Sequence, residues 1–410
     1  MSTLQRSLGT GRAIVIGLAS MVGAGVFYVW APAAAAAGGG LLIGLVIAGA
    51  VASLNALSSA QLAMVHPVSG GTYAYARATV GPWTGFAAGW LFLAGKTASV
   101  GAIALVAGSY LWPEQARVVA IVVIVAFAAV NMTGIRSTAT VSAVIVTIVL
   151  AGLAAIVVTA LVAPPAGAPG LEGLEFLAPG GWYGILQSAG LLFFCFAGYA
   201  RMATLGEEVR DPSRTLPRAI IIALAVVLVI YAAVGILCVL LLGTDVLADS
   251  AAPVAALVGD APPWPVVVRI VAGIACLGSL AGILAALSRT SLAMARERDL
   301  PGALGFISDR THAPIVAEAT FAILAIVGVL VLDPARLVGF SACAVLVYYA
   351  IAHLSALRQP AGERWLPHAV QVFGMAGCLL LAFTLPWQAI LYAAGVLAVG
   401  LVLRAIRLSR

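Results

Sequence analysis

The apolar positions of this chain fall into long unbroken runs, not the short alternations of strands or the one-sided stripes of soluble helices. About twelve runs of roughly 20 residues stand out, near 13–31, 41–64, 83–111, 117–133, 138–163, 183–205, 217–242, 266–294, 314–332, 336–357, 366–385 and 388–405. That is the length a helix needs to cross a bilayer. Polar residues are confined to short connections. The pattern predicts an all-α integral membrane protein with about twelve transmembrane helices and no separate soluble domain. The first run is long and passes directly into further spans, which is the arrangement of a retained span and not of a cleaved signal.

Composition agrees with the pattern. Of the 410 residues 63% are hydrophobic and 9% are charged, too few charges to cover the surface of a soluble domain of this size. Charge placement then sets orientation. With a cytoplasmic N-terminus, residues 1–12 included, most of the arginines fall on the inner side, from Arg6, Arg12, Arg77 and Arg136 to Arg404, Arg407 and Arg410. Only Arg117, Arg269 and Arg336 fall outside. This is the positive-inside asymmetry, and the opposite orientation would violate it. Both termini are then cytoplasmic, and a cell (inner or plasma) membrane is the expected location. The formal charge of +6 is a topology signal and calls for no nucleic-acid partner. Glu172, Glu175, Asp245, Asp249 and Asp260 fall in outer loops.

Candidate chemistry is sparse. Cys195, Cys238, Cys276, Cys343 and Cys378 lie inside apolar runs without metal-ligand spacing, and read as small buried hydrophobes. His66, His312, His353 and His368 are scattered near span ends and read as interfacial residues. The sequence therefore implies neither a metal nor a cofactor. A membrane-embedded enzyme would need a Gly-x-Ser-x-Gly elbow with a histidine, paired metal-binding carboxylates or a His-Glu-x-x-His run; none is present. A channel would display rings of charge or a filter loop, and neither is visible.

Helix-breaking glycines carry more information. Backbone groups in hydrocarbon must be paired, so a broken helix survives only where it is buried or lines a cavity. The first run holds Gly17-Leu-Ala-Ser-Met-Val-Gly23-Ala24-Gly25-Val-Phe27 near mid-depth. The sixth holds Phe193-Phe194-Cys195-Phe196-Ala197-Gly198-Tyr199, also near mid-depth. These open two successive five-span units, and matched interruptions in two halves point to the binding site of a transporter. The other reading of the glycines is close helix packing through small residues.

Several of these segments resemble the amino acid–polyamine–organocation transporter superfamily. Met21-Val-Gly-Ala-Gly-Val-Phe27 is similar to its Gly-small-Gly-hydrophobic-Phe signature. The stretch from Phe196 through Gly206-Glu207-Glu208-Val-Arg210-Asp211-Pro to Ile220 is similar to the exit of the sixth span and the cytoplasmic loop after it. Further matches are Pro67-Val-Ser-Gly-Gly-Thr-Tyr73, Gly81-Pro-Trp83, Gly89-Trp90, Asn131-Met-Thr-Gly-Ile-Arg136 and Met294-Ala-Arg-Glu-Arg-Asp-Leu-Pro301. The last two spans, 366–405, carry no signature.

The resemblance implies an amino acid permease with a LeuT-type fold. Its five-plus-five inverted repeat would comprise 13–163 and 183–357, with 366–405 peripheral. It implies that backbone N–H groups of Gly23, Ala24 and Gly25 hold a substrate carboxylate. Carbonyls near Ser20, Phe194, Phe196 and Ala197 would receive the amino group. Phe196 or Tyr199 would shield the site, the alternative for each being ordinary apolar packing. The implied partners are a small amino acid substrate, protons and the lipid bilayer. Export, or transport of related amines or polyamines, remains the alternative direction and substrate class.

The remaining charges divide by position. Glu207, Glu208, Arg210, Asp211, Arg214 and Arg218 read as a solvated inner loop with structural ion pairs. Arg201 either snorkels to inner water or lines the cytoplasmic pathway. The chain also departs from some members of the superfamily. The fifth run has no lysine, and the third has Gly95 where cationic-amino-acid members place a glutamate. With no carboxylate left inside the spans to pair a cationic side chain, the reading tilts to neutral amino acids. Lys96 is the only lysine and lies about 13 residues into the third run, roughly 20 Å along the helix. From there it cannot easily snorkel and must face the interior or a water-filled cavity. It reads as a fixed cation or proton carrier, since an ammonium can release a proton where a guanidinium cannot. The other reading is a structural ammonium bonded to free carbonyls.

Overall fold

The computed structural model describes residues 8–66, 70–133, 139–165, 167–170, 180–199, 202 and 209–409. Ten helices among them are long and apolar enough to cross a membrane, and Ile315–Val331 and His368–Thr384 are shorter apolar helices at the ninth and eleventh positions. The helices match the apolar runs closely. The second to fifth spans are Leu41–Val65, Pro82–Leu111, Ala116–Met132 and Ala139–Val162. The seventh, eighth, tenth and twelfth are Pro212–Leu242, Trp264–Arg296, Pro334–Leu357 and Trp387–Leu408. No strand occurs among the described residues; the one β-bridge joins Leu8 to Val209.

The first span departs most from its apolar run. It is helical over Thr10–Met21, leaves the helix at Val22 and Gly23, and resumes at Ala24–Tyr28. It then continues past residue 31 as Trp30–Ala37. The alanine run 33–37 carries the helix on because alanine has the highest helix propensity. Pro32, which has no N–H to give the Tyr28 carbonyl, accounts for the irregularity between the last two segments. Gly38, at φ 52°, then turns the chain toward the second span. The sixth span is helical over Gly181–Phe196 and tightens into a 3-10 turn at Ala197–Tyr199. Pro67, Arg136, Glu172, Glu175, Arg201, Glu207 and Glu208 lie outside the described residues, as do Arg6 and Arg410.

Burial sorts the spans. The third is buried along nearly its whole length, whereas the fourth, fifth and twelfth present apolar side chains such as Val122, Val158 and Val402 outward. An apolar outer face suits lipid contact, and the third span's burial makes it the centre around which the others pack.

One face of the bundle is tied by charge. Asp299, in the connection after the eighth span, meets Arg404 of the twelfth at 3.0 Å and Arg77 of the helix Thr72–Thr79 at 3.1 Å. Tyr73 of that helix donates to Asp299 at 2.9 Å. Burial first, and then this hydrogen bond, push the Tyr73 phenol above the usual tyrosine range, so it remains a donor. Arg77 also reaches Glu297 at 2.9 Å. The Arg404 guanidinium lies over the Trp83 and Phe86 rings, 5.0 and 4.8 Å from their centroids. The Arg210 N–H donates to the Leu8 carbonyl at 2.8 Å, holding the N-terminal segment to the connection after the sixth span.

Candidate functional site

The two interrupted spans meet. A β-carbon on Gly198 would overlap the Ser20 carbonyl, and one on Gly25 would come within 2.7 Å of Cys195 Sγ and 3.1 Å of Cys195 Cα. Each break therefore uses a glycine to let the other span's backbone approach. A β-carbon on Gly23 would likewise overlap the Ser279 hydroxyl of the eighth span.

Around this junction is a cavity of about 30 Å³, lined by Ser20, Met21, Gly23, Ala24, Gly25, Lys96, Ser99, Ile103, Phe194, Cys195, Gly198, Ser279 and Ile283. By the usual threshold that is room for about two waters. Of the residues singled out from sequence, Ser20, Gly23, Ala24, Gly25, Phe194 and Lys96 line it. The first turn of a helix leaves its N–H groups without intrahelical carbonyls, and Ala24 and Gly25 are the first two residues of such a turn.

The remaining candidates are nearby but do not line the cavity. Phe196 is fully buried and packs edge-on against Tyr231, with centroids 5.1 Å apart. Tyr199 is fully buried and stacks on Tyr349 at 5.0 Å. The Ala197 carbonyl accepts from Lys96 Nζ at 3.1 Å. The Tyr231 hydroxyl of the seventh span donates to the Met21 carbonyl at 2.7 Å and lies 3.1 Å from the Cys195 carbonyl, bridging the ends of both half-helices.

Ser99, Ile103, Ser279 and Ile283 were not singled out from sequence. Ser99 and Ile103 follow Lys96 at helical spacings of three and seven, on one face, which was a legible signal once Lys96 was chosen. The eighth span carried no comparable marker. Ser99 also shares a 2.6 Å hydrogen bond with Ser341 of the tenth span.

Two expectations are corrected. The ninth span holds a buried carboxylate, Glu318, in its first turn. Ser288 of the eighth span and Asn131 donate hydrogen bonds to it. It survives inside an apolar helix because these donors replace water. It does not line the cavity. His353 is also deeper than an interfacial residue: it is fully buried and bonds Asn55 at 2.6 Å. All five cysteines are free and buried, as expected of small apolar residues.

On the face opposite the Asp299 cluster, a vestibule of about 660 Å³ opens among the ends of the first, sixth, tenth and twelfth spans. Tyr28 and Leu191 line it. They stand three residues from Gly25 and Phe194 respectively, so less than one helical turn separates vestibule from cavity along either span.

This architecture, a helical membrane bundle with two interrupted spans apposed at a central cavity, is that of a transporter and not of an enzyme. The amino acid permease family pattern matches residues 8–405, and the chain belongs to that family. It is 47% identical to an uncharacterized transporter of Mycobacterium tuberculosis, over 98% of this chain and 92% of that one. It is 26% identical to the branched-chain amino acid permease BcaP of Bacillus subtilis, with the same coverage. It is 25% identical to the chloroplastic cationic amino acid transporter 7 of Arabidopsis thaliana, over 94% of this chain and 71% of that one.

Proposed function

We propose that the protein is a secondary active transporter that moves amino acids, neutral ones foremost, across the cell membrane by alternating access. The observation that carries this reading is the reciprocal contact of the two helix breaks around one cavity. There the N–H groups of Ala24 and Gly25, joined by that of Gly23 once it leaves the Met21 carbonyl, receive the substrate carboxylate, because a helix N-terminus carries partial positive charge. Carbonyls at the ends of the half-helices, near Ser20, Phe194, Phe196 and Ala197, receive the amino group. Phe194 supplies an aromatic wall, while Phe196 and Tyr199 hold the sixth-span turn in place.

Neutral substrates fit because no carboxylate lines the cavity, and Glu318 is engaged elsewhere. The branched-chain specificity named for BcaP agrees with this, while the cationic transporter at similar identity is named for another class, so the cavity lining carries the choice. The repeats 13–163 and 183–357 form the carrier, with both termini cytoplasmic and the vestibule facing outward. Lys96 couples transport to protons or to exchange.

The test is counterflow in proteoliposomes. Vesicles preloaded with an unlabelled neutral amino acid should accumulate the labelled one transiently and saturably. Uptake that neither saturates nor responds to counter-substrate would indicate a channel. Absence of counterflow for every amino acid in a full panel would remove the substrate assignment.

A further inference from the structure

The cavity between the breaks already holds a cation of the protein's own. Lys96 Nζ donates to the Ala197 carbonyl, next to the cavity-lining Gly198. That carbonyl belongs to the turn directly after the helix Gly181–Phe196. Helix C-terminal ends carry partial negative charge, and unwound carbonyls at a transporter's midplane take up cations. Lys96 is the only charged side chain lining the cavity, and no ion pair among the described residues includes it. Among the described residues its hydrogen bond is to the Ala197 carbonyl.

An ammonium group entering this cavity meets a like charge at close range and seeks the same carbonyl. With about 30 Å³ of free space the cavity has no room for two ammonium groups at this carbonyl, and the lining adds no carboxylate to the one the substrate itself brings. The neighbouring Met21 carbonyl already accepts from Tyr231.

We infer that Lys96 is an internal stand-in for the substrate's ammonium group: when that group docks on the Ala197 carbonyl, Lys96 withdraws as a neutral amine and one proton leaves. The inference rests on the reading of this cavity as the amino acid site. In the step, one N–H bond of the Lys96 ammonium breaks, its electron pair stays on Nζ, and the proton passes to water. The substrate ammonium keeps its protons and donates one hydrogen bond to the Ala197 oxygen. The empty carrier then holds a proton and the loaded carrier does not, so substrate and proton move in opposite directions through a cycle. Arginine at this position could not take part, since it does not release its proton.

The other titratable group in the lining is the Cys195 thiol. Groups on the spans packed against the third have partners of their own. Tyr348 accepts from the Thr72 N–H, Tyr349 stacks on Tyr199, His353 bonds Asn55, and Glu318 bonds Ser288. Tyr110 donates to the Phe27 carbonyl, Arg289 is engaged, and Arg77 and Arg404 both pair with Asp299. Lys96 is therefore the group whose proton the substrate displaces.

The experiment is calorimetric titration of purified wild-type protein with leucine, in buffers of different ionisation enthalpy. About one proton should be released per leucine bound. Affinity should rise with pH, by up to about tenfold per unit while Lys96 is protonated in the empty protein. The des-amino analogue 4-methylpentanoate should release none. Lys96→Met should bind leucine with affinity independent of pH, and Lys96→Arg should lose leucine binding at every pH tested. Leucine binding to wild type without proton release overturns the inference and leaves the amino acid reading standing, and this measurement does not depend on any variant folding. A Lys96→Met protein that keeps the wild-type pH dependence overturns it as well. If no amino acid in a panel binds, the substrate reading falls and this inference with it.

Discussion

Gly198 of the sixth span lies against the Ser20 carbonyl of the first, so near that a β-carbon on Gly198 would overlap that oxygen and come within 2.7 Å of the Met21 nitrogen. The reverse contact, Gly25 against Cys195, is looser: the nearest atom is the Cys195 sulfur, at the end of a side chain. The two glycines thus differ in what opposes a substituent. Backbone opposes Gly198, and chiefly a side chain opposes Gly25.

That difference predicts a ranking. Gly198→Ala should abolish transport, since neither backbone can yield without opening the junction. Gly25→Ala should retain part of it, and Cys195→Ala in the same protein should restore more by removing the opposing sulfur. Gly25→Leu should abolish substrate binding while leaving the protein folded. Uptake rates and size-exclusion profiles check this. Equal activity in Gly198→Ala and wild type would show that the contact has no part in function.

The Asp299 cluster predicts a contrast in stability. Asp299 and Arg404 have side chains only 5% and 6% exposed, whereas Glu297 is 51% exposed. Removing one member of a buried pair strands the other charge and costs about 3–5 kcal/mol, while an exposed pair contributes about 0–1 kcal/mol. Asp299→Asn should therefore lower the unfolding midpoint in detergent far more than Glu297→Gln. Similar midpoints for the two variants would mean that Arg404 relaxes to water and the rings over which it lies.

Much of the fold was legible because apolar run length maps directly onto span length in a bilayer. The third run, 83–111, differs from the helix Pro82–Leu111 by one residue at its start. The first run stopped at 31 because the alanines after Pro32 resemble a linker in hydropathy, while their helix propensity carried the span to Ala37. At the site, glycines announced the breaks, because a missing side chain is visible in sequence. Which aromatic lines the cavity was not visible: Phe194, Phe196 and Tyr199 are all large aromatics, and helical phase decides among them. Glu318 escaped because a single carboxylate at a span end resembles a loop residue until Ser288 is seen beside it.

Membrane orientation gives the next prediction. Arg77, Glu297, Asp299 and Arg404 meet on one face, and by the arginine excess we expect that face to be cytoplasmic. A reporter active only in the cytoplasm should be active when fused after Arg410 and inactive when fused at Asp249, which lies on the vestibule side. The reverse pattern would invert the topology.

The Tyr231 hydroxyl carries the last prediction. It donates to the Met21 carbonyl at 2.7 Å and sits 3.1 Å from the Cys195 carbonyl, so one group from the seventh span fastens the ends of both half-helices. Tyr231 is fully buried. Tyr231→Phe keeps the ring against Phe196 and Trp30 and removes only the donor. The Met21 carbonyl keeps the Gly23 N–H as a second donor, so the loss is that of one hydrogen bond, about 0.5–1.5 kcal/mol. The variant should unfold earlier in detergent by a corresponding amount and transport more slowly, because the two breaks lose their common tether. Tyr110→Phe gives the comparison, since Tyr110 donates to the Phe27 carbonyl, one turn beyond the break, and accepts from the Val254 N–H, touching neither half-helix end. A Tyr231→Phe protein with wild-type stability and a wild-type uptake rate would show that the carbonyls find other donors, and that the junction is held by packing alone.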